Sequence, residues 1–185
     1  PYDLAQECYN LGVKLIVRHF GVWDAGEPEK VITAHGFGGE CVAQDWWDYA
    51  WAIESPNEPH PGDVAWLASC VSATEAFGKQ CVVGNWGTGH DGFDVPGATY
   101  FSTHEYGFPA VLSQQPWQAL RYRSWFPAVL QRNPTARLFF TEFGITQAVI
   151  GGPDVGWRTD GRPEAEYVEQ VLAYLNAVDA DPYVV

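Results

Sequence analysis

Six short runs rich in β-branched and aromatic residues punctuate the chain, and most are separated by stretches with the 3.6-residue period of an amphipathic helix. The runs are Val13–Phe20, Tyr49–Glu54, Gln80–Gly84, Ala98–His104, Ala136–Thr141 and a last one opening at Tyr183–Val185. Helical spacing marks Asp3–Leu11, which Gly12 should stop, and Pro61–Gly78, where Val64, Leu67, Val71 and Phe77 keep the period. It returns at Gln118–Gln131, where Pro127 should kink or end the helix, and at Pro163–Val178, opened by Pro-Glu. Strands that alternate with helices predict an α/β fold with a parallel sheet and right-handed crossovers. One connection is short: Asn85–Gly97 must join two strands with at most a helical turn. Between the first two runs, Gly21–Glu29 reads as a loop, Lys30–His35 as a helix and Cys41–Asp48 as a helical turn or loop. No linker or repeat interrupts the 185 residues, so a single domain is expected.

With 46% hydrophobic residues the chain can bury a sizeable core. Its 10 basic and 23 acidic residues leave a net charge of −13, which repels phosphate backbones and anionic lipid. Nucleic acid and membrane surfaces are therefore not expected partners, whereas a neutral ligand would suit the surface. No uncharged apolar run reaches the roughly 18 residues that a membrane span needs. The chain opens on Pro1 and contains no Met, so it is expected to be a processed product or part of a longer one. An export signal removed earlier would leave no trace, and a secreted or extracytoplasmic location is compatible with that. Cys8, Cys41, Cys70 and Cys81 have no metal-type spacing, and they serve equally as buried thiols or as up to two disulfides.

Two of the strand-like runs lead straight to a carboxylate. In YAWAIESPNEPH, Tyr49–His60, the apolar run is followed by a turn in which Pro56 and Pro59 bracket Asn57 and Glu58. Glu142 directly follows Ala136–Thr141. The two come from different βα units, and loops at the carboxyl ends of parallel strands are where α/β barrels carry their chemistry. A facing pair of carboxyl groups about 5–5.5 Å apart is the arrangement a retaining glycosidase needs. One group, kept protonated by burial and by its anionic neighbour, gives its proton to the departing sugar oxygen. The other, ionised, attacks the anomeric carbon.

These motifs resemble those of clan A glycoside hydrolases. The likeness lies in Asn57-Glu58-Pro59 after one strand, His104-x-Tyr106 after a later one and Thr141-Glu142-Phe143-Gly144 after the next. Families 5 and 39 and related glucanase-like members share the features. The resemblance implies a (β/α)₈ TIM barrel in which Tyr49–Glu54 is strand four, Ala98–His104 strand six and Ala136–Thr141 strand seven. It implies Glu58 as acid/base and Glu142 as nucleophile. Asn57 would bond the sugar 2-hydroxyl, Tyr106 would orient the nucleophile, and His104 would line the adjoining subsite. No metal or organic cofactor is implied, and the partner is an oligosaccharide or polysaccharide. On this count Val13–Phe20 is strand three, so the chain is expected to be a fragment lacking strands one and two and most of strand eight.

Further candidates follow from position alone. Trp86, just past a strand, and Trp157, in the polar loop before Arg158, either pack into the core or offer aromatic faces for a sugar ring. Arg18 and His19 end the first run, and one of them should point into the mouth. Glu54 competes for the acid role, faces the barrel interior or pairs with a basic group such as Arg18, whereas alternation should turn Glu105 away from its neighbours His104 and Tyr106. Two other function classes stay open: a non-catalytic carbohydrate-binding barrel or inactive fragment, and a barrel enzyme using carboxylates on a metal.

Overall fold

The computed structural model describes residues 2–18, 49–55, 57–76, 78–153, 156–159 and 161–185. The readings made for His19 and for Gly21–Asp48, Cys41 among them, lie outside these residues. Five strands hydrogen-bond in the order β1-β2-β3-β4-β5, which makes an α/β fold on a parallel sheet. They are β1 (Leu15–Arg18), β2 (Ala50–Glu54), β3 (Gln80–Trp86), β4 (Tyr100–Gly107) and β5 (Arg137–Ile145). The helices are α1 (Tyr2–Asn10), α2 (Val64–Ala76), α3 (Tyr122–Arg132) and α4 (Glu164–Val178), with 3₁₀ turns at Pro61–Asp63 and Gln147–Ile150. By compactness the chain divides into two units, Pro1–Gly84 with Asp94–Tyr100, and Asn85–Phe93 with Phe101–Val185.

In the first unit β1 and β3 flank β2 in parallel, with Val17 beside Ile53, Arg18 beside Glu54 and Ile53 beside Cys81. Ala52, Ile53, Val82 and Val83 are buried together with Leu67, Cys70 and Val71 of α2. A parallel strand covered on both faces reads as a continuous apolar run, which is why these strands lack polar alternation. Both helices here stop as their glycines required. Gly12 (φ 74°) and Gly78 (φ 80°) take the left-handed conformation. Val13 N then reaches Cys8 O at 2.8 Å and Lys79 N reaches Thr74 O at 3.1 Å, closing the last turns. The Asp63 carboxylate accepts from His60 N at 2.9 Å and seats the turn ahead of α2.

The second unit is built around aromatic rings. Trp86, Phe101, Tyr122, Phe126, Leu138 and Tyr174 are all buried, each stabilising the fold by about 1.5–3 kcal/mol. Trp125 packs edge-on against Trp86 at 4.9 Å, and Tyr122 against Phe140 at 5.0 Å. Val184 forms a parallel bridge to Leu138, so the last residues begin the strand-like pairing expected of them.

Several boundaries differ from the sequence reading. β3 runs two residues further, to Trp86, and β4 is shifted to end at Gly107 rather than His104. β5 runs on to Ile145, so Glu142 lies within the strand instead of after it. The β-favouring side chains of Thr141, Phe143 and Ile145 continue the ladder through the carboxylate. Pro127 does not end its helix: α3 continues through it to Arg132. A helix-interior proline costs about 3 kcal/mol, and burial of Tyr122, Trp125, Phe126 and Val129 on the same helix offsets it. Residues 118–121, expected to be helical, form turns instead.

Candidate active site

β4 presents alternate side chains to opposite faces, and its carboxyl end shows the consequence. His104 and Tyr106 point to one side, where both meet Glu142 of β5. The Tyr106 hydroxyl donates to Glu142 Oε2 at 3.1 Å, and His104 Nδ1 lies 3.6 Å from the same oxygen. His104 is 1% exposed, whereas Tyr106 and Glu142 are half-buried, so the carboxylate is held from the interior yet reachable. The latter distance is too long for a hydrogen bond and is an electrostatic contact.

Glu105 points the other way, towards the helices. Its Oε2 accepts from Leu120 N at 2.5 Å and from Tyr174 Oη at 3.0 Å, and its Oε1 accepts from Tyr122 N at 3.2 Å. It thereby caps the first turn of α3 from a distant strand, a place where an acceptor satisfies otherwise orphaned N–H groups. Burial raises the Glu105 carboxyl to about 7, against the lowering effects of the Leu120 N–H, Arg121 and the other donors. The structural role expected of Glu105 is the one these contacts describe.

The rest of the Thr141-Glu142-Phe143-Gly144 motif has a packing reason. Phe143 stacks on Tyr174 at 5.1 Å, while Phe140, three residues earlier, also meets Tyr174 at 5.6 Å. A Cβ on Gly144 would lie 3.2 Å from Tyr167 Oη and 3.7 Å from the Tyr106 ring, so the glycine admits both tyrosines beside the strand. Tyr167 in turn stacks on Trp157 at 4.9 Å with the rings 8° apart, and Arg158 sits 5.2 Å over the same indole. Trp157 is thus tied through Tyr167 to the strand that carries Glu142, with one ring face taken by Tyr167.

In the first unit Asn57 and Glu58 occupy the turn after β2, and both are exposed. Burial, expected to keep the proton donor neutral, is thus not what Glu58 has. Its φ of 50° places it in the left-handed region, which costs a non-glycine residue roughly 1–2 kcal/mol. Glu54 is buried at the end of β2, and the strand register sets it beside Arg18, whose side chain lies outside the described residues.

Trp86 is a correction. It is 1% exposed, with Phe93, Phe101 and Trp125 packed around its indole, so it is a core residue and not a sugar platform. β3 continues two residues beyond Gly84, and these carry Trp86 into the core. Sequence reasoning also missed Thr88 and Arg121. The Arg121 guanidinium is buried and donates to Trp86 O at 2.5 Å, Thr103 Oγ1 at 2.8 Å, His104 O at 3.2 Å and also to His90 O. In the sequence Arg121 falls inside the helical pattern of Gln118–Gln131, which gives no local hint of such a role.

Among the described residues no group of three or more His, Cys, Asp or Glu side chains is arranged to hold a metal ion. None of the described helices is long and apolar enough to cross a membrane. No family model, curated protein or solved structure matches the chain.

Proposed function

We propose that the protein is a retaining O-glycoside hydrolase acting on a β-linked glycan, with Glu142 as nucleophile and Glu58 as acid/base. The observation that carries this reading is the convergence of Tyr106 Oη and His104 Nδ1 on one oxygen of Glu142. A carboxylate that must attack a single carbon needs a fixed direction, and a hydroxyl donating to one of its oxygens supplies it. The sheet order adds support: β2, β3, β4 and β5 are successive neighbours, as strands four to seven of a (β/α)₈ barrel would be. Glu58 follows the first of these four and Glu142 lies near the end of the last.

In this mechanism Glu142 attacks the anomeric carbon while Glu58 passes its proton to the leaving oxygen. Water then displaces Glu142 from the sugar, with Glu58 taking up the proton. Asn57, next in the chain, would bond the sugar 2-hydroxyl, and Trp157 would border the sugar site through its link to Tyr167.

The test uses the whole chain and a panel of aryl β-glycosides. Glu142→Ala should lose activity by several orders of magnitude, and sodium azide should restore turnover with a glycosyl azide of inverted configuration as product. Undiminished hydrolysis in that variant would refute the assignment.

A further inference from the structure

We propose that the hydroxyl of Thr88 is the positioning group for the His104–Tyr106–Glu142 cluster, standing in for a rung of the β3–β4 ladder. β3 stops at Trp86, whereas β4 runs on to Gly107. In a parallel ladder, one residue on the neighbouring strand serves the two peptide groups flanking its partner. Its N–H donates to the carbonyl on one side, and its carbonyl accepts from the N–H on the other. For Glu105 those groups are His104 O and Tyr106 N. The Thr88 hydroxyl performs both tasks with a single atom, donating to His104 O at 3.1 Å and accepting from Tyr106 N at 2.8 Å. A hydroxyl is suited to this because it is donor and acceptor at once.

The consequence reaches Glu142. His104 and Tyr106 are the residues whose side chains converge on its Oε2, and their backbone is held from two directions. On the helix side Glu105 is anchored by Leu120 N, Tyr122 N and Tyr174 Oη. Along the strand edge Thr88 ties down the peptides before and after Glu105, and Arg121 Nη2 reinforces it at His104 O. Loss of the hydroxyl frees the carboxyl end of β4 to shift, and with it the tyrosine that aims the carboxylate. The catalytic consequence rests on the hydrolase reading; the geometric one does not.

The experiment compares Thr88→Val, which keeps shape and loses the hydroxyl, with Thr88→Ser, which keeps it. In Thr88→Val, kcat on an aryl β-glycoside should fall roughly 10- to 100-fold, since small misplacements of a reacting group cost that much. KM should stay within about twofold, and Thr88→Ser should recover most of the rate. Amide hydrogen exchange at Tyr106 should accelerate in Thr88→Val alone, and the carboxyl carbon resonance of Glu142 should move in Thr88→Val and return in Thr88→Ser. Wild-type kcat in Thr88→Val, in an enzyme that Glu142→Ala inactivates, overturns the inference. If the wild-type chain turns over none of the glycosides, the hydrolase reading is what fails. The Glu142 resonance then decides: an unmoved signal in Thr88→Val overturns the positioning role, and a shift reversed by Thr88→Ser supports it.

Discussion

Glu105 should make the stability of this protein fall as pH rises across the neutral range. Its carboxyl is pushed by burial from an ordinary 4.5 to about 7 in the folded chain. Below the lower value both folded and unfolded chains hold the proton, and the group leaves stability unaffected. Between the two values the unfolded chain has released it while the folded one keeps it, so stability is lost as pH climbs. Above about 7 both are ionised and the full penalty applies. A gap of about 2.5 pH units, at about 1.4 kcal/mol each, is about 3.5 kcal/mol in all. About 2.5 kcal/mol of it falls between pH 5 and pH 8, which for a chain of this size is a drop of about 5–10 °C in Tm. Other carboxylates titrate too, and Glu105→Gln isolates the one in question. The amide turns an NH₂ toward Tyr122 N or Leu120 N, so at pH 5 the variant should be less stable by about 1–3 kcal/mol. It has no proton to lose, however, and the deficit should vanish or reverse by pH 8. Urea unfolding at a series of pH values, with wild type and variant side by side, measures the difference directly. Two stability curves that run parallel from pH 5 to 8 would refute the reasoning.

Tyr106→Phe removes the hydroxyl that donates to Glu142, and kcat should drop roughly 10- to 100-fold with stability changed by no more than about 1 kcal/mol, read from steady-state kinetics and thermal melts. Glu58→Gly relieves a left-handed backbone and should raise stability by up to about 1 kcal/mol while abolishing hydrolysis, a pairing of effects that a surface turn residue would not produce. Trp86→Ala should cost about 3–5 kcal/mol in unfolding experiments through loss of core packing. Burial pushes the Cys81 thiol up to about 12 and the Cys70 thiol higher still. Both should therefore resist a thiol reagent at pH 8 until denaturant is added, as mass mapping of labelled peptides would report.

How far the residues themselves foretold this arrangement differs by element. Runs such as Gln80–Gly84 announced their strands because a strand buried on both faces must be apolar throughout. Gly12 and Gly78 announced helix ends because the left-handed turn that satisfies the last carbonyls suits glycine best. The facing of His104 and Tyr106, and the opposite facing of Glu105, followed from strand alternation alone. The placement of Trp86 did not follow, because an indole after a strand can cover a core or a ligand, and only the rings packed around it decide which.

By its own composition and periodicity, then, the chain determines a parallel α/β architecture and brings particular polar groups to particular strands, since backbone geometry converts spacing into direction. What the tertiary structure alone decided is partnership across elements far apart in sequence. The Tyr106–Glu142 bond, the Glu105 carboxylate under α3, and the Thr88 hydroxyl completing a ladder each span 15 or more residues. No local pattern encodes such a meeting, because it depends on how helices and strands pack and not on the preferences of either one.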